Sequence, residues 1–121
     1  MGKKVLVVDD SMIVRRVLRK GLTEEGYEVL EATQGSEGLQ NLKDHADVAL
    51  VLCDYNMPEM SGLDMLKSAR DAGLEQKFVF LSSEANPVIV QRARDLGASG
   101  WVVKPISKKT LLSLAEKLCG E

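Results

Sequence analysis

The chain has 121 residues, of which 45% are hydrophobic and 28% are charged, and this is the size and make-up of one compact globular domain. A formal net charge of −2 and the lack of any lysine- and arginine-rich run argue against direct binding to nucleic acid. The apolar run after Lys4 is only four residues long, too short for a signal peptide or a membrane span, so we expect a cytoplasmic protein without membrane insertion.

The first predicted elements are an apolar strand at residues 5–8 and an amphipathic helix that follows it. In this helix, apolar residues recur at helical spacing, which predicts one covered stripe made of Ile13, Val14, Val17, Leu18 and Leu22. Residues 28–32 then alternate between polar and apolar side chains. This alternation predicts a half-exposed strand at an edge of the sheet.

Three further strands are predicted at residues 48–53, 78–81 and 101–103, which are apolar throughout and therefore typical of strands covered on both faces. Asn86 before Pro87 is an N-cap with proline at the first helical position, and Ser107 can cap the last helix. Cys53 and Cys119 form no metal-binding pattern, and we interpret both as reduced thiols that pack as small hydrophobic residues.

Strands and helices thus alternate five times, which predicts a doubly wound (βα)5 α/β fold with a parallel sheet between two layers of helices. We expect residues 1–121 to form one domain with no effector domain attached. In such open sheets the functional site lies beyond the carboxyl ends of the strands, where the winding direction reverses.

Polar residues follow the predicted strands at these ends: Asp9, Asp10, Asp54, Ser82 and Lys104. Three converging carboxylates repel one another, and a divalent cation relieves the repulsion. Magnesium prefers such oxygen ligands and commonly bridges carboxylates to a phosphate. Together with the ammonium group of Lys104 and the hydroxyl group of Ser82, the acids indicate phosphoryl transfer to a carboxylate, which forms an acyl phosphate.

These motifs resemble the receiver domains of two-component response regulators, and in particular the stand-alone receivers of chemotaxis. The resemblance rests on VLVVDD at residues 5–10, CDYNMP at 53–58 and GASGWVVKP at 97–105, and it covers essentially the whole chain. It implies a flavodoxin-like sheet with the strand order 2-1-3-4-5.

The resemblance also implies roles for individual residues. Asp54 is then the phosphoacceptor, and Asp9, Asp10, Asp54 and the backbone carbonyl of Asn56 hold magnesium. Ser82 and Lys104 contact the phosphoryl oxygens, and the Lys104–Pro105 peptide bond is cis, which aims the lysine into the site.

Two positions depart mildly from the commonest family pattern: Ser82 stands where threonine is frequent, and Trp101 stands where tyrosine or phenylalanine is usual. Serine keeps the hydroxyl group, whereas the bulkier indole weakens the expectation that this aromatic residue acts as a switch. Asn56 and Glu84 occupy positions that the family associates with the lifetime of the acyl phosphate, and we expect a short lifetime.

The implied partners are a histidine kinase as phosphodonor and a target protein, with the flagellar motor as one candidate. We expect a monomer that binds its target through the fourth helix, the fifth strand and the fifth helix. Ile89, Ala93 and Leu96 form the inward stripe of the fourth helix. The outward candidates are therefore Pro87, Val88, Val90, Gln91, Arg94, Lys108 and Lys109.

The same residues bear on other functions of this architecture. A phosphatase of this architecture commonly carries Asp-x-Asp after the first strand, whereas Asp9 and Asp10 are adjacent, so we expect no enzyme beyond self-catalysed phosphotransfer and dephosphorylation. A flavin-binding protein needs a loop of small polar residues there, and two aspartates would repel the phosphate. A phosphorelay shuttle and a constitutive protein-interaction domain stay open as alternatives.

Overall fold

The computed structural model describes residues 3–119, which form a five-stranded parallel sheet with helices on both sides. The elements in chain order are β1 (Lys4–Val8), α1 (Met12–Thr23), β2 (Glu28–Ala32), α2 (Gly35–Asp44), β3 (Val48–Asp54), α3 (Gly62–Asp71), β4 (Lys77–Ser82), α4 (Pro87–Asp95), β5 (Gly100–Val103) and α5 (Lys108–Leu118). The sheet order is β2-β1-β3-β4-β5, which confirms both the predicted fold class and the strand order.

The core has two layers because alternate residues of each central strand point to opposite faces of the sheet. Val5, Leu50 and Val79 pack with residues of α1 and α5 on one face. Leu6 and Phe80 belong to the other layer, which packs with α2, α3 and α4. Both cysteines are buried in these layers, as expected for small hydrophobic side chains.

Two of the predicted inward residues of α1 are wrong. Leu18 and Leu22 are fully buried and Val14 packs beside them, but Ile13 is 76% exposed and Val17 is 57% exposed. Successive residues of a helix are about 100° apart around its axis, so the side chain of Val17 points in a different direction from the buried side chain of Leu18. Since α1 contacts only the sheet and α5 closely, that side of the helix stays open.

The fifth strand also differs from the prediction that it is covered on both faces. It forms the second edge of the sheet, its first three residues are only partly buried, and Val103 is 46% exposed. Edge position, which an apolar run does not reveal, leaves this strand accessible. The opposite edge, β2, was correctly predicted as half-exposed.

The predicted helix starts are confirmed. The side chain of Asn86 accepts hydrogen bonds from the backbone amides of Val88 and Ile89, with Pro87 in the first turn, and Ser107 accepts one from Thr110. Ser11 caps α1 in the same way and so fixes the turn that follows β1. Over residues 3–119, no helix is both long and apolar enough to cross a membrane.

Candidate functional site

The predicted site residues converge because their strands are parallel neighbours that end at the same edge of the sheet. Val8 of β1 pairs with Cys53 of β3, so Asp9 and Asp54 leave the sheet side by side. Oxygen atoms of Asp9, Asp10 and Asp54 all lie within 4.8 Å of one another. The structure therefore brings together three carboxylates that are separated by up to 45 positions in the sequence.

Lys104 lies between the two buried acids. Its Nζ atom is 3.2 Å from Oδ2 of Asp9 and 3.3 Å from Oδ1 of Asp54. Asp9 is only 1% exposed and Asp54 only 6%, and buried charges are costly unless they are paired. The lysine is therefore the cation that permits two acids to be buried together.

The carboxyl pKa of Asp54 is raised, first because burial disfavours its charged form and second because Asp9 repels that charge. Lys104 and the Asn56 amide oppose this shift without cancelling it. For Lys104, burial alone would lower the pKa, but the Asp9 and Asp54 carboxylates outweigh burial and raise it. The site thus carries more negative charge than one lysine can balance.

Asp9 and Asp10 are held differently. Both carboxylate oxygens of Asp9 have partners, since Oδ1 accepts a hydrogen bond from the Ser11 amide at 2.9 Å and Oδ2 accepts one from Lys104. The Asp10 side chain is exposed, and no described hydrogen bond or ion pair within residues 3–119 holds its carboxylate. Asp10 is therefore the acid that is open to a ligand.

The open donors fit magnesium, because Asp10, Asp54 and backbone carbonyls offer hard oxygen ligands in a small volume. An open depression of about 330 Å³ borders Asp10 and is lined by Asp10, Tyr55, Asn56, Met57, Pro58 and Ser61, so solvent and a ligand can reach this acid. The Asn56 amide donates to Asp54 Oδ1 at 3.4 Å, which places this residue at the rim.

Ser82 and Trp101 both bond the loop that follows β4. The hydroxyl oxygen of the buried Ser82 accepts a hydrogen bond from the Glu84 amide at 3.3 Å, and the indole Nε1 of Trp101 donates to the Glu84 carbonyl at 3.1 Å. The centroid of the Trp101 ring lies 5.3 Å from the ring centroid of Tyr55 and 5.8 Å from that of Phe80. Residues at the acceptor and at the β5 edge are therefore in contact.

Reasoning from the sequence missed two residues of this neighbourhood. Tyr55 joins the acceptor loop to Trp101, and its position beside Asp54 was the available signal. Arg15 donates from Nη1 to the backbone carbonyl of Asp9 at 2.7 Å. A cation in the first helical turn after paired acids was the signal for that contact.

The Lys104–Pro105 peptide bond is cis, as the family resemblance implies.

Comparisons with known proteins agree with this geometry. Residues 5–116 match the family model described as "Response regulator receiver domain". The chain is 37% identical over 120 residues to chemotaxis protein CheY1 of Helicobacter pylori, with 97% of each protein covered, and 34% identical over 119 residues to CheY of Thermotoga maritima, with 98% of each covered.

Solved structures show the same similarity. CheY4 of Vibrio cholerae superposes with a TM-score of 0.90 at 33% identity, covering 98% of this chain and 99% of that one. CheY in the CheX–CheY–BeF3–Mg²⁺ complex of Borrelia burgdorferi superposes with a TM-score of 0.90 at 25% identity, covering 98% and 90%.

Proposed function

The chain belongs to the response regulator receiver domain family, and we propose that it acts in two-component signalling by accepting a phosphoryl group from a histidine kinase on Asp54. The family consists of signalling domains rather than enzymes. The observation that carries the proposal is the buried Asp54 carboxylate, which lies within 4.8 Å of two other acids and 3.3 Å from Lys104. An aspartate that only caps a helix or faces solvent needs neither two neighbouring carboxylates nor a buried lysine contact.

In the proposed step, a carboxylate oxygen of Asp54 attacks the phosphorus atom of a phosphohistidine. The new O–P bond forms as the P–N bond breaks, and the electron pair of that bond returns to the imidazole nitrogen. Lys104 lies where it can neutralise charge on the phosphoryl oxygens, and Ser82 can donate its hydroxyl hydrogen to one of them. Water attack on the acyl phosphate would later release phosphate and regenerate the Asp54 carboxylate.

Asp10, Asp54 and the Asn56 carbonyl would hold magnesium, and Asp9, whose carboxylate oxygens bond Ser11 and Lys104, would add its negative charge. When bound, the metal ion supplies charge neutralisation for the transferring phosphoryl group. The pKa of Asp54 is raised first by burial and second by repulsion from Asp9, and a bound cation would relieve that repulsion, which supports this assignment. The Borrelia complex of CheX and CheY contains Mg²⁺ and BeF3, which supports a role of magnesium in this family.

The phosphodonor would approach over the start of α1, next to the acids. Met12, Ile13 and Val17 are 59%, 76% and 57% exposed there, and such a group of apolar side chains favours contact with a protein.

The signal would leave through α4, β5 and α5. Trp101 contacts both the acceptor neighbour Tyr55 and the Glu84 carbonyl, so occupation of the site can bias the position of the loop before α4. Val88 is 70% exposed on the same surface. Lys108 is a weaker candidate for target binding than Lys109, because its Nζ atom is 2.8 Å from Oε1 of Glu24 on α1.

The relatives named above are chemotaxis proteins, so chemotaxis is the pathway that we propose, with the flagellar motor or a CheX-like protein as partner of a monomeric domain. A phosphorelay shuttle would differ by passing its phosphoryl group on to a second histidine. A constitutive interaction domain would need no acceptor, whereas every residue of the acceptor site is present.

Labelling with radioactive acetyl phosphate tests the acceptor. Wild-type protein should incorporate label only with Mg²⁺, Asp54→Ala should incorporate none, and Asp64→Ala, which changes an exposed acid on α3, should behave as the wild type. Incorporation of label by Asp54→Ala would show that another residue is the acceptor. No label in the wild type, even with a kinase donor and short sampling times, would favour the constitutive interaction domain.

A further inference from the structure

Arg15 reaches from α1 to the backbone at the end of β1, where the acidic residues begin. We infer that Arg15 is a positioning residue for magnesium binding, and that it acts through the peptide bond between Asp9 and Asp10. This inference rests on the magnesium-dependent phosphorylation proposed above. It concerns a residue that touches neither the metal ion nor the phosphoryl group.

The guanidinium group of Arg15 is held from two sides. Its Nη1 atom donates to the Asp9 carbonyl at 2.7 Å, and its Nε atom donates to Oε1 of Glu31 on β2 at 3.2 Å. The side chain is only 14% exposed. Arg19, which is 60% exposed, contacts the other oxygen of Glu31 at 3.3 Å but makes no described contact with Asp9.

The peptide bond explains how this contact reaches Asp10. The carbonyl group of Asp9, the amide nitrogen of Asp10 and the Asp10 Cα atom belong to one planar unit, so a fixed carbonyl fixes the point from which the Asp10 side chain extends. On the other side of Asp10, the Ser11 amide is bonded to the Asp9 carboxylate at 2.9 Å. Because no described hydrogen bond or ion pair holds the Asp10 carboxylate, its placement near the other acids depends on this backbone and on its own side-chain torsions.

A simple charge effect predicts the opposite result. Removal of a nearby positive charge should make binding of Mg²⁺ tighter, because like charges repel. Removal of a positioning contact should make binding weaker, and loss of partners that orient metal ligands typically costs 10- to 100-fold in affinity. The sign of the change in Mg²⁺ affinity therefore distinguishes the two roles of Arg15.

The experiment is a series of thermal unfolding curves at increasing Mg²⁺ concentration. The midpoint without metal reports on folding, and its rise with Mg²⁺ gives the dissociation constant. We expect Arg15→Met to raise the dissociation constant about tenfold, and Arg15→Lys, which keeps a donor and the charge, to raise it less. The matched control Arg19→Met removes one charge and one Glu31 contact and should stay within about twofold of the wild type.

Equal or tighter Mg²⁺ binding by Arg15→Met than by Arg19→Met would overturn the inference. If Arg15→Met does not fold, the same comparison is made between Arg15→Lys and Arg19→Lys, and equal affinities would overturn it there. The proposed function fails separately, by a wild type that neither binds Mg²⁺ nor accepts label from acetyl phosphate. A wild type that does both, with indistinguishable arginine variants, refutes only the role of Arg15.

Discussion

The acidic site is held in different ways on its two sides, which we call the β2 flank (Arg15, Arg19 and Glu31) and the β5 flank (residues 82–86, Trp101 and Lys104). The β2 flank consists of ion pairs between side chains of a helix and a strand. On the β5 flank, Ser82 and Trp101 bond to backbone atoms of a loop whose residues 83–86 are exposed.

This difference suits a switch. Regular elements that are tied together resist displacement, whereas an exposed loop with few packed contacts can change its conformation at low cost. The β2 flank therefore holds the backbone of Asp9 in place, whereas the loop of the β5 flank can respond to what the site contains. Changes of Lys104 and Trp101 on the β5 flank should therefore alter chemistry or the loop, whereas a change of Val88, which lies outside both flanks, should alter neither.

The largest effect is expected from Lys104→Met, which keeps an unbranched side chain but removes the ammonium group beside Asp9 and Asp54. Loss of one positioned charge at a reacting centre typically costs 10²- to 10³-fold in rate, so labelling by acetyl phosphate should slow by about 100-fold. Initial rates of labelling measure this. Lys109→Met, an exposed lysine on α5, is the control, and a Lys104→Met rate within twofold of that control would contradict the prediction.

The next prediction concerns pH in metal-free buffer. The pKa of Asp54 in the folded state is raised above 3.8, its ordinary value in the unfolded chain. Between the unfolded-state pKa and the folded-state pKa, the folded state therefore binds more protons than the unfolded state. The contribution of Asp54 to the free energy of unfolding should therefore fall as pH rises through this window and grow as pH is lowered. Asp54→Asn, which cannot titrate, should lack this contribution.

Urea unfolding in EDTA at a series of pH values, for the wild type and Asp54→Asn, measures the difference. Addition of Mg²⁺ at neutral pH should stabilise the wild type more than the variant, because the metal ion replaces the missing positive charge. If pH and Mg²⁺ change the free energy of unfolding equally in the two proteins, the negative charge of Asp54 does not destabilise the folded state, and the prediction is wrong.

A smaller effect is expected from Trp101→Phe. The ring can still pack against Tyr55 and Phe80, but the hydrogen bond to the Glu84 carbonyl is lost. One such bond contributes about 0.5–1.5 kcal/mol to the free energy of unfolding, and urea unfolding should show a loss of this size. Amide hydrogen exchange of residues 83–86 should become faster while exchange in β1 does not change, and equal acceleration in both would refute a role confined to the loop.

The smallest effect is expected from Val88→Ser on α4. Its side chain is 70% exposed, so the free energy of unfolding should change by no more than about 0.5 kcal/mol. The labelling rate at Asp54 should also be unchanged, because this surface serves partners rather than chemistry. A clear loss of either property in urea unfolding or labelling would mean that Val88 has a structural role.

The sequence alone predicted the alternation of strands and helices and the polar residues at the strand ends, whereas the strand order was implied by the family resemblance. The apolar run at residues 48–53 was correctly predicted as a strand covered on both faces, whereas the apolar run at residues 101–103 belongs to an edge strand. The change to Asp54 at the end of the first of these runs identifies the carboxyl edge of the sheet. Cap residues such as Asn86 and Ser107 identify helix starts because they act within three residues.

Only the tertiary structure decided which helix surfaces are open and which distant side chains meet. The periodicity of α1 does not show that Ile13 and Val17 lack a covering element, since this depends on where α5 packs. Lys104 meets Asp9 across 95 positions, and Arg15 meets Glu31 across 16. Such contacts depend on the assembled sheet order and on side-chain reach, which no local pattern of residues encodes.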